Sequence, residues 1–560
     1  MGGTIENYFL SSHLHVGQLL LHGNRNMGIY INRGNSSFAK ARRDEYIDKS
    51  MLVSYINSTI GTNRNLTCVS RARRFGKSMA AQMLYAYYDK SCDSRKLFED
   101  LKVADPENPY NQSVETAFET HLNKYPTIYI DMTDFTTQYH DCDDIVKILA
   151  QKVKMDVLSA YSHTSVGSEQ SLMDTLLAIV EETGEPFILI LDEWDALCRE
   201  ASAKPQLMID YVNFLRNLFK GGNSDRVFAA VYMTGILPIK QQGTQSALNN
   251  FIPYTMTNPG ILADCFGFTK EEVRTLCQKY DMPYDEMERW YDGYTMGNVG
   301  HIFNPTSVML ALRMRQFDNY WSQTSSFESI RDYISLDFDG VKQSIEHLLM
   351  GMEERVKVFN YGNDVNRLSS KDELFTLLIH YGYYAYDNNK QTVRIPNQEV
   401  REELLQAVRT GKRPELVKLI QESDRLLAAT LAMREDYVAE ALDRFHSQYV
   451  TPLFYNNEQA LRGLVRYAYI GAMGDFVPME ELPSGKGFVD IAFIPSRPSG
   501  QPVLLIELKY NEAVDTAISQ IKERRYPEKL LPFADNLLLV AISYDKETKR
   551  HACKIAPCTE

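Results

Sequence analysis

Two sets of residues have the types and spacing for phosphate chemistry. In the first, Arg73-Arg74-Phe75-Gly76-Lys77-Ser78 lies between an apolar strand-like run, Leu66 to Ser70, and a helix-forming run, Met79 to Asp89. A loop so placed holds anionic oxygens with backbone N–H groups and the positive end of the following helix. Lys77 would reach the β- and γ-phosphates of ATP, and the Ser78 hydroxyl would ligate Mg²⁺. Gly-Lys-Ser alone is a weak signal, so context must supply the specificity. The buried-strand pattern Phe187 to Leu191 runs into Asp192 and Glu193. There Asp192 can hold the Mg²⁺ bound to Ser78, and Glu193 can orient or deprotonate an attacking water. The next strand ends in Met233-Thr234-Gly235; Thr234 reads either as a γ-phosphate sensor or as a strand cap.

One position departs from an ordinary phosphate loop. Where such a loop opens with glycine, five residues before Gly76, this chain has Arg71, which cannot adopt φ > 0 cheaply. Arg71, Arg73 and Arg74 either replace the missing donors with bidentate guanidinium contacts or form a basic stripe. ATP binding is therefore a safer expectation than fast hydrolysis.

The second set lies near the C-terminus. Asp490 follows Gly487-Phe488-Val489, and Glu507-Leu508-Lys509 ends the apolar run that begins at Val503. Residues two apart on a strand share a face, so Glu507 and Lys509 point together, and a hairpin would bring Asp490 beside them. Two carboxylates and a lysine suit metal-assisted phosphodiester cleavage: the acids hold Mg²⁺, and the ammonium positions water or steadies developing charge. Charges on a central apolar strand are costly unless paired or metal-bound, which favours this reading over a surface ion pair. Glu458 on the preceding helix can add a metal ligand, although Glu458, Gln520 and Tyr526 each taken singly read as structural. Gln520 and Tyr526 lie on and just after the following helix, and Lys522, Arg524, Arg525 and Lys529 could track a nucleic-acid backbone or form a solvated face.

These residues need particular elements to position them. Four short apolar runs, Leu66 to Ser70, Thr127 to Asp131, Phe187 to Leu191 and Val227 to Thr234, alternate with helical patterns, as in a doubly wound parallel sheet covered on both faces. Helical periodicity then dominates, as in Lys270 to Tyr280 and Glu402 to Leu427. Within it, Trp290 to Tyr294 and Phe303-Asn304-Pro305 read as aromatic anchors fixing a loop rather than as a ligand site. A small α/β unit follows: a helix near Asn457 to Tyr469, strands Phe488 to Ile494 and Val503 to Tyr510 around a Pro/Gly turn, a helix from Glu512 to Arg525 and a final strand, Asn536 to Ser543. The expected organisation is an N-terminal extension (1–40), a P-loop ATPase domain (41–261), an α-helical middle region (262–442) and a C-terminal α/β domain (443–560).

Bulk properties agree. At 560 residues the chain needs several cores, and 44% hydrophobic with 24% charged residues is globular. The net charge of −13 excludes a uniformly basic surface but not local phosphate-gripping patches. The eight scattered cysteines read as reduced thiols. The first fifteen residues lack a signal-peptide pattern, and no stretch approaches the ~18 apolar residues of a membrane span, so a cytoplasmic protein without membrane contact is expected.

The motifs together resemble the family of predicted bacterial proteins that join an AAA-ATPase-like domain to a PD-(D/E)xK nuclease-superfamily domain. Tyr46-Ile47-Asp48-Lys49-Ser50 is similar to the family's opening Tyr-Val-Asp-Lys-Thr. Its loop likewise reads Arg-x-Arg-Arg-Phe-Gly-Lys-Ser, so the resemblance implies that Arg71 is not an isolated defect. Asp192-Glu193-Trp194-Asp195 looks like its Walker B segment and Thr234-Gly235 like its sensor strand. Trp290 to Tyr294, Asn304-Pro305 and Arg394-Ile395-Pro396-Asn397 also fit, as do Asp490, Glu507-Leu508-Lys509, Gln520 and Tyr526. The resemblance implies an AAA-like P-loop core and a restriction-endonuclease-like C-terminal domain, with ATP bound by Arg73 to Ser78, Asp192 and Thr234 and Mg²⁺ at both sites. Glu193, Asp490, Glu507, Lys509 and Gln520 are then catalytic. The expectation is an ATP-regulated, Mg²⁺- or Mn²⁺-dependent nuclease acting on DNA, with homo-oligomerisation left open. The alternatives are a nucleotide-switched binding module that does not cut and an ATPase motor whose C-terminal domain only docks nucleic acid.

Overall fold

The computed structural model describes residues 28–558 apart from 114–115, 141, 168–169, 201–203, 240–247, 322–326, 337, 339, 359–367, 450–456, 485–486 and 524–535. The chain divides into two compact units, one ending at Phe266 and one beginning at Gly267.

The first unit is built on five parallel strands: β1 (Leu66–Ser70), β2 (Thr127–Asp131), β3 (Phe187–Asp192), β4 (Phe228–Gly235) and β5 (Ile252–Tyr254), in the spatial order β2-β3-β4-β1-β5. Successive side chains of a strand face opposite ways, and here both faces are apolar. Leu66, Cys68, Ile128, Ile130, Leu189, Leu191, Val231 and Met233 enter one core, with residues of the helices Ile145–Ala160, Leu172–Thr183 and Pro205–Phe219. Val69, Tyr129, Ile188, Ile190, Ala230 and Tyr232 enter the other, with helix α1 (Lys77–Tyr88). This is the doubly wound core expected from the four apolar runs. The fifth strand escapes the sequence pattern because it has three residues with Pro253 at its centre, tolerable only on an edge.

The second unit carries the helical middle region and a C-terminal sheet. The single helical pattern expected from Glu402 to Leu427 is two helices, Gln398–Arg409 and Pro414–Leu431. Pro414 occupies the first position of the second, where its missing N–H costs nothing, and the residue before a proline disfavours helix. Asp292 and Gly293 are clasped by the Arg394 to Asn397 segment: Asn397 Nδ2 donates to Asp292 O at 2.7 Å and Arg394 to Gly293 O at 2.5 Å. Gly293 has φ 111°, and a Cβ there would lie 2.0 Å from Pro396 O, so only glycine fits. Asn304 caps the helix Pro305–Met314 through the N–H groups of Thr306 and Ser307. The Arg394 and Asn397 contacts hold the two segments against each other through the backbone.

The C-terminal sheet has five strands, β6 (Phe476–Ser484), β7 (Gly487–Pro495), β8 (Val503–Tyr510), β9 (Leu537–Asp545) and β10 (Arg550–Pro557), in that spatial order. β8 pairs antiparallel with β7 and parallel with β9, so a crossover must join β8 to β9; the helix α2 (Val514–Glu523) begins it. A further helix, α3 (Glu458–Ala468), precedes the sheet. Asn536 to Ser543 is not the last strand: β10 pairs antiparallel with it, and β6 extends the other edge. Both additions mix polar residues and prolines, which hides them from an apolar-run criterion.

Candidate functional site

In the first unit, the loop after β1 turns into α1 through Arg74 (φ 69°) and Gly76 (φ 87°). The left-handed positions are therefore at 74 and 76, not at 71. Arg71 is fully buried. Its guanidinium donates to the carbonyls of Ser70 (3.0 Å), Tyr254 (2.9 Å) and Leu262 (3.1 Å) and lies over the Phe266 ring at 5.1 Å. It clamps β5 and the following turn to β1, which corrects both expected roles: a fully buried guanidinium bound to backbone carbonyls neither replaces loop donors nor joins a basic stripe. Phe75 is also buried, so only its backbone can face a phosphate. Arg73 and Arg74 are half-buried, and Arg73 acts electrostatically on Glu193.

Strand order brings the remaining residues together. Because β4 lies between β1 and β3, Thr234 stands beside Asp192, donating to its Oδ1 at 2.8 Å, and Ser78 also hydrogen-bonds this carboxylate. Tyr129 OH donates to the other oxygen at 3.1 Å. Lys77, buried, lies 3.2 Å from Glu193 Oε1 and donates to Ala72 O at 3.2 Å. Glu193 itself has φ 51°, a conformation that strains a residue with a side chain. Its hold comes from neighbours: Trp194 N–H donates to Thr234 O, and Asp195 accepts the N–H groups of Ile236 and Leu237. A Cβ on Gly235 would lie 2.6 Å from Asp195 Oδ1, so the glycine lets the turns after β3 and β4 lock together.

The two acids differ electrostatically. Burial pushes Asp192 above the ordinary carboxylate range, against hydrogen bonds from Thr234 and Ser78. Burial acts on Glu193 the same way, but Lys77 and Arg199 outweigh it and hold the group below its usual value. Arg199 Nη2 stands 2.7 Å from Glu193 Oε2. Asp131, paired in register with Asp192, is pushed up to about 6 by burial and by Asp192. Tyr129, Asp131 and Arg199 were missed from the sequence. An acid ending β2 as Asp192 ends β3, and an arginine four residues after Asp195, were the available signals.

In the second unit, β7 and β8 form the expected hairpin, with Ile491 opposite Ile506. Glu507 and Lys509 are buried on β8, the central strand, with Lys509 Nζ 3.4 Å from Glu507 Oε1 and 3.9 Å from Glu458 Oε1. Asp490 Oδ2 accepts the Leu508 N–H at 2.9 Å. Its Oδ1 accepts from Arg462 at 2.8 Å. Arg462, one turn beyond Glu458 on α3, was missed, although the i, i+4 spacing was legible. By donor type, Glu458, Asp490 and Glu507 suit Mg²⁺, which takes hard oxygen ligands. Their oxygens are not drawn into one tight cluster. Among the described residues, the trio of potential ligands lying within 4.8 Å of one another is Glu288, Asp292 and His301. Lys270 and Tyr284 also bond Glu288, and the trio fixes the hairpin after Tyr291. Gln520 and Lys522 lie on α2 with side chains outside the described residues, as are Arg524, Arg525, Tyr526 and Lys529 altogether.

Residues 32–245, which contain the loop, both acids and Thr234, match the family of predicted AAA-ATPases. This segment is an AAA-ATPase-like domain. The chain is 21% identical over 529 residues to an uncharacterized protein in the vnfD 5′ region of Azotobacter chroococcum mcd 1, covering 92% of this chain and 96% of that one. Among solved structures, Cdc6p from Pyrobaculum aerophilum matches at 10% identity with TM-score 0.25, covering 67% of this chain and 97% of that one. The Aeropyrum pernix ORC2 protein, in ADPNP-ADP complexes, matches at 10% identity with TM-score 0.28, covering 66% and 97%. Among the described residues no helix is long and apolar enough to cross a membrane.

Proposed function

We propose that the AAA-ATPase-like domain binds Mg²⁺-ATP and that the C-terminal sheet carries a metal-dependent nuclease whose cutting of DNA responds to nucleotide. The observation that carries the nucleotide half is the convergence of Ser78, Thr234 and Tyr129 on Asp192, with Lys77 beside Glu193. Backbone N–H groups at the start of α1 receive the phosphates, Lys77 shifts from Glu193 towards them, and Ser78 with Asp192 holds Mg²⁺. Released from Lys77 but still held by Arg199, Glu193 orients a water.

The nuclease half rests on two buried charges, Glu507 and Lys509, on the central strand of a sheet whose neighbouring strand presents Asp490 to the Leu508 N–H. Asp490, Glu507 and Glu458 are the ligands for Mg²⁺ or Mn²⁺, which when bound lowers the pKa of a coordinated water and shields phosphate charge. Lys509 is placed to orient that water or to stabilise the charge that develops on the phosphate.

The decisive experiment incubates the protein with linear and circular DNA, Mg²⁺ or Mn²⁺, and ATP or none. Cleavage should appear and be lost in Glu507→Gln and Lys509→Ala. Loss of cleavage in Lys77→Ala would tie it to nucleotide. Intact DNA under every condition refutes the nuclease. One observation favours a non-cutting, nucleotide-switched binding module instead: Asp490 Oδ1 is held by Arg462. ATP-dependent retention of uncut DNA would support that reading.

A further inference from the structure

The charge arrangement around Asp490 has a regulatory consequence, which rests on the nuclease reading above. Three carboxylates, Glu458, Asp490 and Glu507, share two cations, Lys509 and Arg462. Lys509 bridges Glu507 and Glu458 across 3.4 and 3.9 Å, whereas Arg462 makes the shorter contact, 2.8 Å to Asp490 Oδ1. That pair is largely shielded, with side chains 19% and 14% exposed. Shielding strengthens it beyond an ordinary surface ion pair. Asp490 cannot turn aside to avoid the guanidinium, because its Oδ2 is fixed by the Leu508 N–H at 2.9 Å.

A divalent cation taking Asp490 would sit about 2.1 Å from a carboxylate oxygen. Arg462 cannot keep its present place so close to a double positive charge. We infer that Arg462 is a built-in counter-ion that holds the site closed to metal and leaves only when a better anion draws it off. The backbone of the nucleic acid supplies that anion: phosphate accepts a guanidinium in the same bidentate fashion as a carboxylate. Substrate binding thereby frees Asp490, and metal loads where a strand is already engaged. The coupling is reciprocal, since metal binding releases Arg462 to the phosphate.

The test uses the full-length protein without nucleotide and measures Mn²⁺ binding by the loss of the free-ion paramagnetic resonance signal. The component absent from Glu507→Gln is assigned to this site. Arg462→Gln should bind Mn²⁺ about tenfold more tightly than the wild type, 1.4 kcal/mol at 25 °C. A short phosphorothioate duplex should tighten Mn²⁺ binding in the wild type and leave Arg462→Gln unchanged. Should that variant fold poorly, Arg462→Lys, which keeps the charge but loses the planar fork, should show a smaller tightening. Equal or weaker Mn²⁺ binding in both variants overturns the counter-ion role while leaving the nuclease reading standing. Absence of any Glu507-dependent Mn²⁺ binding in every protein overturns both.

Discussion

Arg71 shows what a buried cation does when it is spent on backbone carbonyls. Burial lowers its pKa to about 10, still well above neutrality, so the charge persists and must be satisfied by Ser70, Tyr254 and Leu262. Removing the guanidinium strands three carbonyls and opens a cavity beneath Phe266. Arg71→Ala should therefore cost about 3–5 kcal/mol, read as a lower urea midpoint, and Arg71→Lys should recover only part of it. A stability unchanged within error would mean that the clamp is dispensable. From the sequence, Arg71 stood out as a departure from an ordinary phosphate loop, to be offset by phosphate contacts or read as part of a basic stripe. Its partners Tyr254 and Leu262 lie nearly two hundred residues downstream, a distance at which no local pattern can report a contact. Lys77, Ser78, Asp192 and Glu193 were singled out because a phosphate loop and a strand ending in acids are local patterns, and the strand order brings them together.

At the scale of elements, apolar runs reported the strands buried on both faces and little else. β1, β2, β3 and β8 were found nearly to the residue, because each is a short run of largely apolar, buried residues, and β2 keeps that pattern although it lies at a sheet edge. β5, β6 and β10 went unseen: each lies at a sheet edge, where Pro253, Pro478 and Lys554 are tolerated. Loops with a fixed geometry give sharper predictions than strands. Gly293 combines φ 111° with a Pro396 carbonyl 2.0 Å from any added Cβ. Gly293→Ala should cost about 3 kcal/mol or more, because the backbone strain and the clash cannot both be relieved without parting the clasp to Asn397. The expected readout is a lower denaturation midpoint of the second unit with nucleotide binding by the first unchanged. Retention of the wild-type midpoint would refute the clasp.

Across the molecule, the second unit carries an acid sensitivity of its own. His380 is buried and neutral, its pKa pushed down by burial to about 3. Burial likewise takes His551 down to about 4, against the pull of Asp443. In the unfolded chain both titrate near 6.5. Folded values below unfolded ones mean that the stabilisation is present above pH 6.5 and is lost as pH falls towards 4 and then 3. The slope is at most about 1.4 kcal/mol per pH unit for each histidine. Denaturant midpoints of the second unit should fall from pH 7 to pH 4.5, and His380→Leu should flatten the decline. A variant profile parallel to the wild type would exclude His380 as a source. The α/β class and the parallel core were legible at this scale because alternation of strand and helix is written along the whole first unit. The strands β5, β6 and β10 and the Arg462 contact depend on tertiary placement.

The strand order of the first unit also dictates when the proposed nucleotide site can form. β1 and β3 carry the loop and the acids, yet they are not neighbours: β4, later in the chain than either, lies between them. A nascent chain that has emerged only as far as Glu193 carries the loop and both acids but not Thr234 or the strand that seats them beside one another. The last strand to be synthesised of the central three closes the gap, and with it Thr234 and Gly235 lock the acids in place. On the proposed reading of this site, ATP has no complete site to bind until residue 235 has cleared the ribosome.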